Sequence, residues 1–389
     1  MNKFKFYFIV FTASVLFFSC SKDDPSKTIE PPRDYAVQYK TDIADIEEYL
    51  TKNYFTVVDH PGFVDDQDVT ITKIPTGGTQ PSIMSYKDAT TYPKLLYRTV
   101  ELHNVEYKLY YLVLRPGVGV SPCNVDGVLA SYRGTYLERS AATATPPSEV
   151  TSTFFEELKY PQTTLNLYGV IKGWSEVFPK FKTGTSIINS NGTVTHNDFG
   201  AGVMFIPSGL AYYNVGSGEI PSYSPLVFSF KLFTIERLDQ DNDGVFSYQE
   251  DLDDDGYVYD FRNTNAYPTP PKQDILDDND FPDQDGVPNF LDVDDDGDNY
   301  TTRLETQYIN PLDPNKVTRY YPYDGVLVDD PATLFVDERQ GIPRKFTGPL
   351  LNPSAPESST NVPTPQASDY TDPLRLRLHL DKEHQPAKL

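Results

Sequence analysis

Asp239, Asp241 and Asp243 alternate along the chain ahead of Gly244, and Glu250 closes the run at its twelfth position. Hard oxygens at this spacing converge on one calcium ion: three carboxylates from the aspartates, the Val245 carbonyl, Ser247 directly or through water, and Glu250 in a bidentate grip. Gly244 supplies the sharp turn. A second run starts at Asp251, but its twelfth position is Arg262 and brings no closing acid. Asp283-Gln284-Asp285-Gly286 and Asp292 to Asp298 continue the pattern. In another register Asp294, Asp296, Asp298, Thr302 and Glu305 satisfy a twelve-residue loop, with Asn299 at the turn, where asparagine tolerates positive φ. From Glu236 to Glu305 there are 22 acidic residues against 4 basic ones, most of the chain's net charge of −23. Such a block repels nucleic acid and invites cations. Calcium is the expected structural ion; the competing expectation is a solvated acidic linker.

A second chemistry sits at the N-terminus. Lys3 and Lys5 precede an apolar run from Phe6 to Phe18 that stops at Ser19-Cys20. The run is roughly 13 residues, short of the ~20 that span hydrocarbon, so it reads as a signal peptide over 1–19. A small residue before the cysteine points to lipidation of Cys20, and acyl chains there would anchor the chain to a membrane. Ser21-Lys22-Asp23-Asp24 resembles the signal that sends lipoproteins of some Gram-negative lineages to the outer leaflet. The expected location is the cell envelope, as an outer-membrane lipoprotein compatible with surface exposure, with residues 20–34 as a tether. Cys123 is the only other cysteine, so the mature chain forms no intrachain disulfide and needs another stabiliser. The five histidines are scattered, and no serine, cysteine or histidine constellation supports a hydrolase.

The elements that must position these groups are mostly strands. Thr41 suits an N-cap for a helix through Ile43, Ile46 and Leu50, and residues 55–98 read as short strands and loops. Tyr107 to Leu114, Val128 to Tyr132, Gly202 to Ile206 and Leu226 to Phe233 carry strand signatures. Gly169 to Phe178 reads as a turn entering one short helix, and Ser190-Asn191-Gly192-Thr193 as a hairpin turn. The implied fold class is α+β, an antiparallel sheet with one covering helix, followed by the acidic segment at 238–305. Residues 306–389 form a Pro-rich tail in which the alternating run Leu374 to Leu380 is an edge strand or a docking segment.

Val170-Ile171-Lys172-Gly173-Trp174, Ile206-Pro207-Ser208-Gly209-Leu210-Ala211-Tyr212, Ile220-Pro221 before Leu226-Val227-Phe228, and Tyr132-Arg133-Gly134 occur in an order that resembles the FKBP-type peptidyl-prolyl isomerase domain, over about Val100 to Arg237. The resemblance implies an FKBP-like antiparallel half-barrel wrapped on a short helix over 100–237, which follows the N-terminal helix and short strands of 35–99. It also implies a pocket with Trp174 as floor and Val170, Ile171, Phe228, Tyr132, Tyr212 and Ile220 as walls. The family's Phe-Asp pair is absent as such, and Phe155-Glu156, in an insertion-like stretch from Glu138 to Leu158, is the nearest counterpart. Tyr213 stands where the family has glycine after Ala-Tyr, at the expected pocket rim. The acidic segment in turn resembles EF-hand loops without the entering helix, and thrombospondin type 3 repeats.

Isomerising an X-Pro bond requires twisting an amide against a barrier of about 18–20 kcal/mol, with no bond made or broken. No cofactor is needed for that step. The expected activity is prolyl isomerisation for proline-containing client peptides or proteins; the alternative is a non-catalytic FKBP-like lipoprotein that binds peptide, serves adhesion or scaffolds a complex.

Overall fold

The computed structural model describes residues 31–389 apart from 142, 144–147, 252–254, 270–286, 310–314, 316, 324–325, 327–336, 359, 382 and 385–389. The expected signal peptide, Cys20, most of the expected tether and Asp283 to Gly286 therefore lie outside the described residues. Tyr35–Leu389 forms one compact unit.

The unit opens with helix α1, Tyr35–Lys52. It begins before Thr41, which lies inside the helix and is not its N-cap. Tertiary contacts extend its start: Tyr35 stacks on His103, and the Lys108 N–H donates to the Tyr39 hydroxyl at 2.7 Å. Asn53–Val57 (β1) and Val69–Lys73 (β2) follow as an antiparallel hairpin.

The main sheet contains Lys94–Leu102 (β3), Val105–Arg115 (β4), Gly127–Arg139 (β5), Val150–Leu158 (β6) and Leu165–Asn166 (β7). Thr185–Ile188 (β8) and Val194–Asn197 (β9) make a separate hairpin across the Ser190–Thr193 turn, and Gly200–Ile206 (β10) and Leu226–Glu236 (β11) complete the sheet. The strand order is β3-β4-β10-β11-β5-β6, with β7 also on β5. Every pairing is antiparallel. The architecture is an α+β half-barrel, a curled antiparallel sheet with few helices.

Strand alternation divides the interior in two. Met204, Ile206, Phe228, Phe230, Tyr111 and Val113 point to the core that holds the short helix Lys172–Val177 (α2). Val203, Phe205, Val227, Tyr110 and Leu112 point to the other core, which packs on Ile46, Tyr49 and Leu50 of α1. The sheet is thus covered on both faces, where the sequence promised one helix. Leu95 of β3 is fully buried in that second core, so the sheet begins before residue 100 and the 35–99 segment is part of the same body. The end of the stretch expected to be an insertion, Val150–Leu158, is β6, paired to β5 with a bulge at Gly134/Thr135.

Beyond β11, Val258 and Phe290 join Cys123 and Val125 in a small core. Gln307–Ile309 (β12) and Thr318–Tyr320 (β13) form a hairpin. Leu378–Leu380 is a 3₁₀ turn with Leu378 and His379 buried, so among the described residues the end of the run Leu374 to Leu380 docks and adds no strand. Among the described residues no helix is long and apolar enough to cross a membrane.

Candidate functional site

α2 enters the sheet's concave side because Gly173 allows it. A Cβ there would lie 2.5 Å from Ile206 Cγ2 on β10, so only glycine lets the helix approach this closely. The Trp174 N–H donates to the Ile171 carbonyl at 2.9 Å, which seats the indole at the first turn. Trp174 is buried and meets Tyr132 edge-on at 4.9 Å and Phe228 at 5.1 Å between ring centroids. Phe155 meets Phe228 at 5.6 Å. Gly134, opposite Phe228 in the β5–β11 register, leaves the room that Phe155 takes. Val170 and Ile171 pack on this cluster, Ile220 is buried beside it, and Tyr212 stands partly exposed.

Phe155 and Glu156 enter the same place. The Tyr132 hydroxyl donates to Glu156 Oε1 at 2.9 Å, and burial together with the Glu156 carboxylate holds the phenol above its ordinary pKa. Tyr213, expected at the pocket rim, packs against other rings. Its φ is +45° and its ring is buried, stacked on Tyr35 at 4.1 Å and edge-on to Tyr223 at 5.2 Å.

Two supports escaped the sequence reading. Glu176, on the far side of α2, is fully buried and paired with Arg98 Nε at 2.7 Å and Lys172 Nζ at 3.0 Å. Burial alone would raise its carboxyl, but Lys172 and Arg98 hold it below the usual range. The Tyr259 hydroxyl donates to the Glu176 carboxylate, and the Tyr257 hydroxyl to its backbone carbonyl at 2.9 Å, so residues after the acidic loop brace the helix. Asp42 of α1 accepts from the Ser208 N–H at 2.8 Å and hydroxyl at 2.6 Å, fixing the turn that leads to Tyr212. The Lys172–Glu176 spacing was visible in the sequence; the partners from β3 and α1 were not.

The acidic segment builds two clusters. In the first loop the Gly244 N–H donates to Asp239 at 3.1 Å, the Asp243 N–H to Asp241 at 3.1 Å, and the Val245 N–H to Asp243 at 2.7 Å. The last loop repeats this: Asn299 N–H to Asp294 at 2.9 Å, Asp298 N–H to Asp296 at 3.2 Å, and Tyr300 N–H to Asp298 at 2.8 Å. Gly244, Gly297 and Asn299 all have positive φ, but it is Asn299 whose N–H reaches the first aspartate of its loop as that of Gly244 does, which favours the register with Asn299 at the turn. Carboxylate oxygens of Asp239, Asp241 and Asp243 lie within 4.8 Å of one another, as do those of Asp294, Asp296 and Asp298.

Two expected ligands sit differently. The Ser247 hydroxyl accepts from the Gln240 N–H at 3.1 Å and so braces the loop. Thr302, expected in the last loop's shell, accepts from the Asp295 N–H at 3.2 Å and faces the first loop's Asp243. The donor sets fit a hard cation. Glu250 and Glu305 are buried, and neither oxygen of either carboxylate has a hydrogen-bond partner. Burial, then Asp295 and Asp243, drives Glu250 well above the ordinary range; burial, then Asp296, Asp298 and Asp294, pushes Glu305 up to about 10. Such carboxylates cost free energy in the fold unless a cation compensates them.

Comparison with known proteins gives a family match and a curated relative. Residues 240–334 match a family described as BamM C-terminal. An FKBP-type peptidyl-prolyl cis-trans isomerase, FkpA of Aeromonas hydrophila, is 28% identical over 142 residues, which is 36% of this chain and 43% of that protein. The chain thus spans less than half the length of this curated relative. Among solved structures, a peptidyl-prolyl cis-trans isomerase of Pseudomonas syringae pv. tomato aligns at 22% identity over 40% of this chain and 87% of that one, with a TM-score of 0.25. FkpA of Escherichia coli aligns at 27% identity over 39% and 55%, with a TM-score of 0.23. The chain is therefore similar, over part of its length, to FKBP-type isomerases.

Proposed function

We propose that this chain is a prolyl isomerase of the cell envelope, tethered to the outer membrane through lipidated Cys20 and acting on exported or surface proteins, with calcium stiffening its acidic loops. The observation that carries the reading is the box of Trp174, Tyr132, Phe155 and Phe228, closed by the Tyr132–Glu156 hydrogen bond. An apolar aromatic floor favours a twisted amide, which has lost its charge-separated resonance, over the planar form that water solvates well. That difference is transition-state binding. Tyr212, at the edge, donates a hydrogen bond to a substrate carbonyl. Similarity to an FKBP-type isomerase over 36% of the chain supports the same reading.

A second reading is a binding module without turnover that scaffolds a complex. The match of residues 240–334 to a BamM C-terminal family supports it. One experiment separates the two: isomerisation of a short X-Pro peptide by Tyr35–Leu389, with Trp174→Ala as control and calcium present or chelated. Acceleration that disappears in the variant supports the enzyme. A folded, calcium-loaded unit that binds the peptide and does not accelerate its isomerisation overturns it in favour of the module.

A further inference from the structure

The first acidic loop has a neighbour that its own twelve residues do not contain. Carboxylate oxygens of Asp243, Glu250 and Asp295 lie within 4.8 Å of one another. Calcium binds oxygens at 2.3–2.6 Å, so ligands on opposite sides of one ion stand about 5 Å apart, and these three fit around a single ion. Asp295 is 0% exposed and Glu250 is 4% exposed. Neither oxygen of either carboxylate has a hydrogen-bond partner. Two buried carboxylates aimed at each other without a donor between them call for a cation.

Neighbouring residues of the last loop divide between the two clusters. Asp294 joins Asp296 and Asp298, whereas Asp295 joins Asp243 and Glu250. The packing around them keeps this split. Thr302 holds the Asp295 N–H, and the Arg303 guanidinium lies against Gly244, where a side chain would collide with it.

We propose that the cation of the loop Asp239–Glu250 is ligated by Asp295, so that one calcium ion ties together two segments separated by the whole of residues 251–291. This rests on the reading of the acidic loops as calcium sites, and adds a ligand and a cross-link to it. Magnesium suits the site less well, because it demands octahedral geometry and keeps its waters, whereas calcium accepts many protein oxygens.

The test is calcium binding to the purified full chain, by calorimetry with stoichiometry from equilibrium dialysis. It compares wild type with Asp295→Asn, Glu250→Gln, the double variant and Glu305→Gln. Asp295→Asn is expected to lose the same ion as Glu250→Gln, or to bind it about ten-fold or more weakly. The double variant should lose no further ion, and Glu305→Gln should lose a different one. Asp295→Asn with wild-type stoichiometry and affinity, beside a Glu250→Gln variant that loses an ion, overturns the shared ligand and leaves the calcium loops standing. No calcium uptake by wild type overturns both. Should Asp295→Asn fail to fold, Asp295→Glu decides: it keeps the charge but is too long, so weakened binding is expected and unchanged binding overturns the proposal.

Discussion

At the scale of single residues, the proposed pocket is a set of rings with one polar clamp. Tyr132→Phe keeps the ring and deletes the donor to Glu156. Because that contact is partly open to solvent, the variant should lose about 1 kcal/mol of stability or less. Peptide assays should find kcat/KM lower, by about five-fold; an unchanged kcat/KM would remove the clamp from the mechanism. Tyr213 tests the opposite kind of role. Its ring holds Tyr35 and Tyr223, and aromatic pairs are worth about 0.5–1.5 kcal/mol each beyond their buried area. Tyr213→Gly should therefore lower the denaturation midpoint without raising activity on bulky peptides. A gain in activity would return the side chain to the pocket rim.

At the scale of elements, both helices depend on contacts that one atom can disturb. Gly173→Ala drives a methyl into Ile206, and overpacking of this kind costs about 1–3 kcal/mol. Urea unfolding should register that loss, with isomerase activity falling as α2 tilts. The junction of α1 with the Tyr212 turn carries a pH signature. Burial raises the Asp42 carboxyl from 3.8 to about 6, against the pull of its hydrogen bonds from Ser208 and Gln38. The folded state thus holds this proton more tightly than the unfolded chain. Its contribution to stability is present in full below pH 3.8 and is lost as pH rises through about 6. Thermal unfolding of Asp42→Asn should show a flatter profile over that window than wild type. Coincident profiles would mean that Asp42 stays ionised throughout.

At the scale of the whole molecule, the acidic loops are joined to the sheet through Tyr257 and Tyr259, which reach Glu176 on α2. Calcium bound only by the folded state adds RT ln(1 + [L]/Kd), about 2.7 kcal/mol at a hundredfold excess over Kd. Chelation should lower the melting temperature by several degrees, and with it the activity of a pocket whose helix is braced from that side. A melting temperature indifferent to chelator would leave the loops without a stabilising role.

Much of this was legible in the sequence for a physical reason: local spacing determines local geometry. The alternating aspartates with a turn residue dictate loops whose N–H groups fold back on carboxylates, and Asn299 takes positive φ where the register demanded it. Apolar alternation marked the strands, and Gly-Trp after Val-Ile marked the short helix that carries Trp174 into the aromatic cluster. What the tertiary structure alone decided is which distant groups meet. Asp295 leaves its own loop for Glu250, Glu156 finds Tyr132 across β5 and β6, Tyr213 turns from the rim to Tyr35, and α1 covers a sheet face that the sequence left open. Spacing along a chain carries no record of such encounters, because they arise when the sheet curls and brings separate segments into one dry interior.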